Sequence, residues 1–551
     1  MKILIQNTTI IDGSLSPAFQ GDILIEDGII REIGETITED YVKDTVYING
    51  KGLITAPGFI DTHSHSDLKI LTEPEVLPKL MQGITTEVLG QDGISMAPLP
   101  IEYIDSWRKN LAGLDGESDF IDWEFKTTDK YLKMIETVKP AINESYLVPH
   151  GNVRMEALGL DNRPPSPEEI RKMCEITRRE MEAGCLGLSS GLIYTPCAYS
   201  ETSEIIELCK VVAEYDGVFV VHQRSEADTI LSSMEEILEV GRRSGVRIHY
   251  SHFKVCGMDN QDKLEAMLHL LDKAKEEGIE VSFDQYPYVA GSTMLGIILP
   301  PWAHDGGTNE LIRRLGDESL RLKMKEDIRN GIPGWDNFIR FAGVEGIFIT
   351  SVASDKNKEL IGKSLKEIGE IKGKDPLDAA FDLLAEENNG VGMVDFYGTE
   401  NSVIKILKRP EMNACTDGLL SGKPHPRVYG SFPRILGKYV REEKALSLEE
   451  AVYKLTYKAA KAMHIKNRGL LKAGYKADIT LFNPDTVLDL GTFTEPMQFP
   501  SGIEYVIVNG RVAVEHGSYT GIRAGTVIRR DKNNSHRKEP GGTGIWSKRC
   551  R

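Results

Sequence analysis

The sequence predicts an α/β protein in which a central barrel of strand–helix units lies beside a small β-sandwich built from both chain ends. Three observations support this fold class. Strand and helix patterns alternate through the centre, short β-rich runs with turn signals occupy both ends, and charged helical segments interrupt the alternation from about residue 301 to 410. At 551 residues the chain is long enough for two or three domains.

The two chain ends share one pattern of short β-rich runs separated by turn residues, including Asp-Gly pairs. We therefore expect residues 1–55 and 470–528 to form one β-sandwich, and residues 56–469 to form the barrel domain. The last stretch, residues 529–551, is basic and polar, which predicts a disordered tail.

The centre of the chain alternates between the two kinds of element. The predicted order is strand 217–223, helix 227–245, strand 246–254, helix 262–278 and strand 279–288. This rotation is typical of parallel β/α units, and a barrel gathers the carboxyl ends of its strands into one mouth. The segment from about 301 to 410 is expected to be an insertion beside this mouth, a candidate lid.

Histidines recur where these predicted strands end. His63 and His65 lie two apart in "GFIDTHSHSD", and alternate residues of a strand share one face. His222 closes "GVFVVH" and His252 closes "VRIHYSH", one β/α unit apart. Because neutral imidazole is a preferred zinc ligand, the four rings predict a metal site. His249 would face the other way and is expected to be structural.

Composition excludes several classes of protein. The chain has 66 basic and 83 acidic residues, a formal charge of −17, which opposes binding to nucleic acid or an anionic membrane. No apolar run approaches the ~18 residues of a membrane-spanning helix, and the opening residues lack a signal-peptide pattern, so a cytoplasmic location is expected. The seven scattered cysteines favour neither a disulfide framework nor a cysteine-zinc site.

With an aspartate in "NACTDGLL" added to these histidines, the chain resembles the amidohydrolase superfamily, and within it the D-aminoacylase (N-acyl-D-amino-acid deacylase) family. The likeness extends to about residue 528. It rests on "PGFIDTHSHSD", "QGITTEVLGQDGIS", "GLSSGLIYTPCAYSETSEI", "VHQRSE", "SHFKVCG", "TDG", "HPRVYGSFPRIL" and "AGYKADITLFNP".

This resemblance implies a distorted (β/α)8 TIM-like barrel with one or two zinc ions at the carboxyl ends of its strands. The implied reaction is hydrolysis of the amide bond of an N-acyl-D-amino acid, which releases a carboxylate and a D-amino acid. Each histidine pair would hold one metal position. Asp417 matches the aspartate that carries a proton from water to the leaving nitrogen, and Lys254 and Tyr286 match positions associated with holding the substrate carboxylate.

One position departs from the family. Where the best-known D-aminoacylases carry a zinc-binding cysteine, this chain has Asp92. A carboxylate is a harder ligand than a thiolate and can bridge two ions, so the site is expected to be more binuclear or to favour another divalent metal. No lysine is suitably placed to serve as a carbamylated bridge. The alternative is that Asp92 is only a turn residue before Gly93.

Other residues are weaker candidates for substrate binding. Arg154, Arg427 and Arg434 would each suit a carboxylate, since guanidinium binds it through two parallel hydrogen bonds, and each is equally suited to tying loops together. Tyr194 either lines the pocket or packs in the core.

Three functional hypotheses remain at this stage. The first is hydrolysis of a small-molecule N-acyl amino acid, in which a metal ion lowers the pKa of water from ~15.7 towards ~7. The second uses the same metal site on a cyclic amide such as a hydantoin, a dihydropyrimidine or a lactam. The third is a non-catalytic binding protein. Preference for the D-enantiomer comes from the resemblance alone.

Overall fold

The computed structural model describes residues 1–37, 45–116, 118 and 120–531. In chain order the strands are β1 (Lys2–Ile10), β2 (Phe19–Glu26), β3 (Ile29–Gly34), β4 (Thr45–Asn49), β5 (Ile54–Pro57), β6 (Phe59–Asp61), β7 (Ser64–His65), β8 (Ile84–Leu89), β9 (Asn143–Tyr146), β10 (Val148–Pro149), β11 (Gly187–Gly191), β12 (Val218–His222), β13 (Arg247–Tyr250), β14 (Val281–Gln285), β15 (Ala290–Met294), β16 (Ile347–Val352), β17 (Val391–Phe396), β18 (Met412–Ala414), β19 (Gly418–Leu419), β20 (Ile479–Phe482), β21 (Ile503–Val508), β22 (Arg511–Glu515) and β23 (Ser518–Tyr519).

The α-helices of the same residues alternate with the central strands. They are α1 (Lys69–Thr72), α2 (Leu77–Leu80), α3 (Ile104–Asp115), α4 (Thr128–Val138), α5 (His150–Leu158), α6 (Pro167–Ala183), α7 (Thr202–Glu214), α8 (Ile230–Ser244), α9 (Leu264–Glu276), α10 (Thr308–Leu315), α11 (Glu318–Asn330), α12 (Phe338–Ala342), α13 (Leu365–Lys372), α14 (Pro376–Glu386), α15 (Glu400–Leu407), α16 (Arg427–Arg434), α17 (Leu448–Leu455) and α18 (Tyr457–Ala462).

Strands from both chain ends share one nine-stranded sheet. Its order is β23-β22-β21-β20-β5-β1-β2-β3, and β4 also pairs with β1. The first half of β1 pairs with β4 and its second half with β5, so the sheet divides along this strand. Buried isoleucines from both ends, including Ile5, Ile25 and Ile479, form one core on the sheet. The β pattern at the two ends therefore leads to a single hydrogen-bonded unit.

The central strands form parallel sheets. The largest has the order β10-β11-β12-β13-β14-β18, and two smaller ones have the orders β6-β8-β9 and β19-β7. The predicted strand–helix alternation is present as β12, α8, β13, α9 and β14. Parallel strands and their helices place the carboxyl ends of these strands on one side.

One predicted strand is too long. The expected strand 246–254 ends at Tyr250, because the backbone turns and His252 has a φ of 36°. A positive φ is incompatible with an extended strand. His252 and Lys254 therefore lie in the loop after β13, and strand alternation does not determine the direction of their side chains.

The segment from 301 to 410 contains strands as well as the expected helices. Helices α10 to α15 lie here, together with β16 and β17. Strand β17 pairs antiparallel with β16 and with β15, which precedes the segment. The register places Asp395 of β17 opposite Gly291 of β15. This small sheet connects the inserted segment to the end of the parallel strands.

The expected tail falls mostly outside the described residues, which end at Asp531. Arg529 contacts the body of the protein, with Nη1 3.2 Å from Asp129 and Nη2 3.1 Å from Glu136. The ordered contacts thus extend past the expected boundary at 529. Among the described residues, the helices are all too short or too polar to span a bilayer.

Candidate metal centre

The four histidines predicted from the sequence meet on one side of the parallel strands. His222 ends β12, His65 lies in β7, His63 directly precedes β7, and His252 follows β13 by two residues. All four side chains are at least nine-tenths buried. The ring centroids of His63 and His65 are 5.2 Å apart, those of His63 and His252 are 5.0 Å apart, and those of His222 and His252 are 4.4 Å apart.

Potential ligand atoms cluster around these rings. In each of three triplets, the ligand atoms lie within 4.8 Å of one another: His63, His65 and Asp417; His63, Asp92 and His252; and His222, Glu226 and His252. The first and second triplets share His63, and the second and third share His252. The cluster is therefore continuous, and its size suits two neighbouring cations with shared ligands.

Asp92 lies between the two histidine pairs. Its Oδ2 is 3.7 Å from His63 Nε2 and 3.6 Å from His65 Nε2, and its Oδ1 is 3.8 Å from His252 Nε2. The residue has a φ of 54° in a short turn, a conformation that aspartate tolerates. Asp92 therefore occupies a turn and also directs both carboxylate oxygens at the cluster, an arrangement that would suit a carboxylate shared by two cations.

Several buried atoms of the cluster have no hydrogen-bond partner among the described residues. They are both ring nitrogens of His63, Nε2 of His222 and Oδ1 of Asp92. Buried polar atoms are rarely left in this state, because each one costs free energy without a partner. Imidazole nitrogens and carboxylate oxygens are zinc ligands, so the residues present fit one or two divalent cations.

A second layer of polar residues holds the histidines. Asp284, in β14, accepts hydrogen bonds from the backbone N–H of His252 at 2.5 Å and from His249 Nε2 at 2.9 Å. Its carboxylate also lies 3.8 Å from His63 Nδ1. His249 also contacts Ser282 at 2.8 Å. His249 thus orients the Asp284 carboxylate, and Asp284 fixes the backbone of His252, one of the candidate ligands.

The fully buried Lys79 connects the two chain segments that carry His63 and Asp417. Its Nζ donates to Asp61 Oδ2 at 2.8 Å, to Ser64 Oγ at 2.8 Å and to Thr416 Oγ1. Asp61 in turn accepts a hydrogen bond from the backbone N–H of Thr416 at 2.8 Å. Lys79 therefore fixes the residues next to the site without belonging to it.

The charges of the cluster stabilise one another. Burial lowers the pKa of His65, but hydrogen bonds to Asp417 and Asp92 outweigh burial and raise it to about 10. Burial raises the pKa of Asp92, but the neighbouring His63 outweighs burial and holds it well below its usual value. Burial lowers the pKa of His222 to about 3, so this ring is neutral, which is the form of imidazole that can bind a cation. The carboxylates are ionised and attract positive charge.

Asp417 borders both the cluster and an open cavity. Its Oδ1 lies 3.4 Å from His65 Nε2 and 3.6 Å from His63 Nε2, and its Oδ2 lies 2.9 Å from Arg427 Nη1. Its backbone N–H donates to the carbonyl of His63 at 2.8 Å. The cavity also has Lys254, Tyr286 and Tyr194 in its wall.

The cavity residues are held by specific contacts. Lys254 Nζ lies 2.6 Å from Glu226 Oε2 and 2.8 Å from His252 Nδ1. The Tyr286 hydroxyl is 2.7 Å from that of Tyr397. The Tyr194 hydroxyl is 2.9 Å from Thr293 Oγ1, and its ring lies 5.4 Å from that of His222.

Two of the three candidate arginines are not placed at the cavity. Arg154 is buried against Glu204 Oε2 at 2.5 Å and donates to the carbonyl of Arg163 at 2.5 Å. Arg434 pairs with Asp489 at 2.9 Å and donates to the carbonyl of Pro287 at 2.9 Å. Both guanidinium groups tie loops together. Arg427 is the candidate that lines the cavity.

Four further cavity residues were not singled out from the sequence. Glu226 follows His222 by four residues, and this spacing within "VHQRSE" was a usable signal. Tyr397, Asp395 and Asp336 come from the inserted segment, where the sequence has no motif that points to the cavity.

Comparison with known proteins gives consistent matches. The family model described as "Amidohydrolase family" matches residues 47–308 and 366–514. A D-aminoacylase of Alcaligenes xylosoxydans xylosoxydans is 32% identical, over 96% of this chain and 97% of the relative. An N-acyl-D-glutamate deacylase of the same organism is 34% identical, over 96% and 97%.

A solved structure is also similar to this chain over nearly its whole length. It is an N-acyl-D-glutamate deacylase from Bordetella bronchiseptica, complexed with zinc and a phosphonate inhibitor that mimics the tetrahedral intermediate. It matches with a TM-score of 0.80 and 32% identity, and the match covers 96% of this chain and 99% of that one.

We predict that zinc affinity falls as the pH falls, because bound protons must leave the imidazoles before zinc binds. The raised pKa of His65, about 10, means that this ring holds a proton across the neutral range in the metal-free protein. For each proton that zinc displaces, the apparent Kd for zinc should rise about a hundredfold as the pH falls from 8 to 6. Competition with a chelator of known pH dependence measures this. A Kd that does not change with pH would contradict the assignment.

We also predict that Lys79→Met destabilises the protein by about 3–5 kcal/mol, because it leaves the buried Asp61 without its cation. Lys69→Met is the matched control. Lys69 pairs at 2.7 Å with Glu73, whose side chain is 64% exposed, and an exposed pair contributes about 0–1 kcal/mol. Urea unfolding of both zinc-loaded variants measures the difference. Equal losses would show that Lys79 has no special structural role.

Proposed function

The chain belongs to the amidohydrolase family, and we propose that it is a zinc-dependent hydrolase that cleaves the amide bond of N-acyl-D-amino acids, releasing a carboxylate and a D-amino acid. The observation that carries the proposal is the position of Asp417, which contacts the candidate metal ligands on one side and the cavity arginine on the other. His63, His65, Asp92, His222 and His252 are the proposed zinc ligands.

The proposed ions supply the activation that an amide requires, since a divalent cation lowers the pKa of water and polarises a carbonyl group. Asp417 then moves the proton. Burial raises its pKa, but Arg427 and His63 outweigh burial and hold the pKa well below its usual value. Asp417 is therefore ionised and able to accept a proton from the attacking water. Once it has accepted that proton, the acid form of Asp417 would return it to the departing nitrogen, as general acid–base catalysis requires.

Arg427 is suited to hold the substrate carboxylate. It is fully buried, and its Nη2 donates to the carbonyl of Ser292 at 2.9 Å. Its Nε and Nη1 make no hydrogen bond to the described residues, and the approach of Nη1 to Asp417 is an ion pair without hydrogen-bond alignment. Nη1 is committed to this ion pair with Asp417, whereas the Nε–H group has no partner among the described residues and can donate to a carboxylate. Lys254 and Tyr286 lie beside Arg427 in the same cavity.

The fold is a TIM barrel with an extra domain, and the strand pairing supports a finer architecture. We infer a closed, distorted (β/α)8 barrel, in which β6 and β7, β9 and β10, and β18 and β19 are each two halves of one interrupted strand. The parallel pairs then connect eight positions in a ring, with β7 beside β19. The barrel would span residues 56–469 with an insertion at about 301–410, and the nine-stranded sheet would fold on itself as the sandwich.

The alternatives have less support. The relatives matched at 32% and 34% identity are named for D-amino-acid derivatives with an open-chain amide, and Arg427 and Lys254 suit a free carboxylate, which a simple cyclic amide lacks. A non-catalytic protein has no need for the buried cluster of ligands beside Asp417. The small-molecule cyclic amide remains the second candidate because it would use the same ligands.

We predict that the zinc-loaded protein hydrolyses N-acetyl-D-amino acids faster than their L-enantiomers or dihydropyrimidine rings. Asp417→Asn should retain substrate binding and lose at least ~10²-fold in kcat, because the proton shuttle acts on the chemical step. Release of free amine over a range of substrate concentrations measures both quantities, and elemental analysis checks that the variant keeps its zinc. A near-normal kcat in the variant would remove Asp417 from the mechanism, and faster turnover of the ring would favour the cyclic-amide reading.

A further inference from the structure

The cavity next to the metal cluster contains more carboxylates than its own cations neutralise. Of the five acidic groups in its wall, Asp92 faces the histidines of the cluster, Glu226 pairs with Lys254 at 2.6 Å and Asp417 pairs with Arg427 at 2.9 Å. Asp336 and Asp395 have no lysine, arginine or histidine nitrogen within 4.0 Å in the described part of the chain.

These two remaining acids differ in what holds them. Asp336 accepts a hydrogen bond from Ser225 Oγ at 2.6 Å and another from the backbone N–H of Glu226 at 2.6 Å, so its oxygens already fix a loop. Asp395 is only 3% exposed, and its carboxylate makes no hydrogen bond to another of the described residues. Burial raises the pKa of Asp395 to about 7, although the more distant Lys254 and Arg427 lower it. Asp395 is thus a buried acid that lacks a close partner.

The space beside Asp395 is created by a glycine. Asp395 faces Gly291 across the antiparallel pair of β17 and β15, and directly opposed residues share one face of a sheet. A methyl group at Gly291 would lie 3.1 Å from Asp395 Oδ1 and 3.0 Å from Cε1 of Tyr397. The absence of a side chain therefore keeps the approach to the Asp395 carboxylate open from the cavity.

Aromatic rings border this space. The Tyr397 and Tyr286 hydroxyls are 2.7 Å apart, and the Tyr286 ring lies under the Arg427 guanidinium at 4.5 Å. The space beside Asp395, here called the subsite, thus extends from Arg427, which is suited to hold the substrate carboxylate, to the carboxylate of Asp395. The faces of the Tyr286 and Tyr397 rings would also attract a cationic group in this space.

We propose that Asp395 determines substrate specificity by binding the cationic side chain of the substrate, so that N-acyl derivatives of basic D-amino acids (lysine, ornithine or arginine) are preferred. This inference rests on the proposed hydrolase function. The zinc ligands and Arg427 account for the amide and the α-carboxylate, and the side chain is the part of the substrate left for Asp395.

The charge of the subsite also discriminates against other side chains. An acidic side chain would bring a second carboxylate next to Asp395, and like charges in a buried site strongly oppose binding. A neutral side chain would leave Asp395 without a partner. A cationic side chain would avoid the repulsion between like charges and would also give Asp395 a partner. The relative named N-acyl-D-glutamate deacylase acts on an acidic derivative by its name, so this chain would have the opposite preference on a related framework.

The test compares kcat/KM for N-acetyl-D-lysine, N-acetyl-D-ornithine and N-acetyl-D-arginine with kcat/KM for N-acetyl-D-norleucine and N-acetyl-D-glutamate, using zinc-loaded protein. We expect the best cationic substrate to exceed norleucine at least about tenfold, the value of one hydrogen bond to a charged group. Asp395→Asn should lower the ratio of cationic to norleucine turnover at least about tenfold. Asp355→Asn is the matched control, because it removes one acid from the same inserted segment at an 89% exposed side chain paired with Lys358, and it should leave the ratio unchanged.

The outcomes separate this inference from the proposed function. Hydrolysis of norleucine without any preference for the cationic substrates, or an unchanged ratio in Asp395→Asn, would overturn the role of Asp395 and leave the hydrolase function standing. No hydrolysis of any N-acetyl-D-amino acid would overturn the function and this inference with it. If Asp395→Asn does not fold, the ratio in the unmodified protein still decides between the outcomes.

Discussion

The site depends on the convergence of buried imidazole nitrogens and carboxylate oxygens that have no hydrogen-bond partners of their own. His63, His222 and Asp92 each bring at least one such atom to the same point. A cation is the partner that satisfies nitrogen lone pairs and carboxylate oxygens together. The surrounding structure follows from this requirement, because the rings must be held in place before any ion binds. Asp284, with His249 behind it, and Lys79, with Asp61, perform that task from buried positions beside the ligands.

Much of the fold and the convergence of the four histidines could be predicted from the sequence. The alternation of strand and helix patterns placed His222 at a strand end, where β12 does end, and the predicted family is confirmed by the comparisons. The prediction of strand 246–254 was wrong at its end, since His252 adopts a positive φ that the β pattern does not reveal. The cluster nevertheless includes His252, because the loop after β13 returns its ring to His222.

The substrate side of the cavity could not be predicted in the same way. The sequence gives three arginines equal potential to bind a carboxylate, and only their surroundings in the fold distinguish them. Arg154 pairs with a buried glutamate, Arg434 pairs with a loop aspartate, and Arg427 lines the open cavity. Asp395 depends on the pairing of β17 with β15, about a hundred residues earlier, and on the register that sets it opposite Gly291. Such long-range register is decided by tertiary packing, which local patterns do not encode. The inserted segment therefore contributes residues such as Asp336, Asp395 and Tyr397 to the cavity wall.

X-ray absorption at the zinc edge of the zinc-loaded protein tests the central claim most directly, because it identifies the atoms that bind the ion. We predict only nitrogen and oxygen neighbours at about 2.0–2.2 Å, as imidazole and carboxylate ligands require. Cys256 also lies in the cavity wall, so a thiolate is physically available. A sulfur neighbour at about 2.3 Å, or the absence of bound zinc, would contradict a centre built from His63, His65, Asp92, His222 and His252.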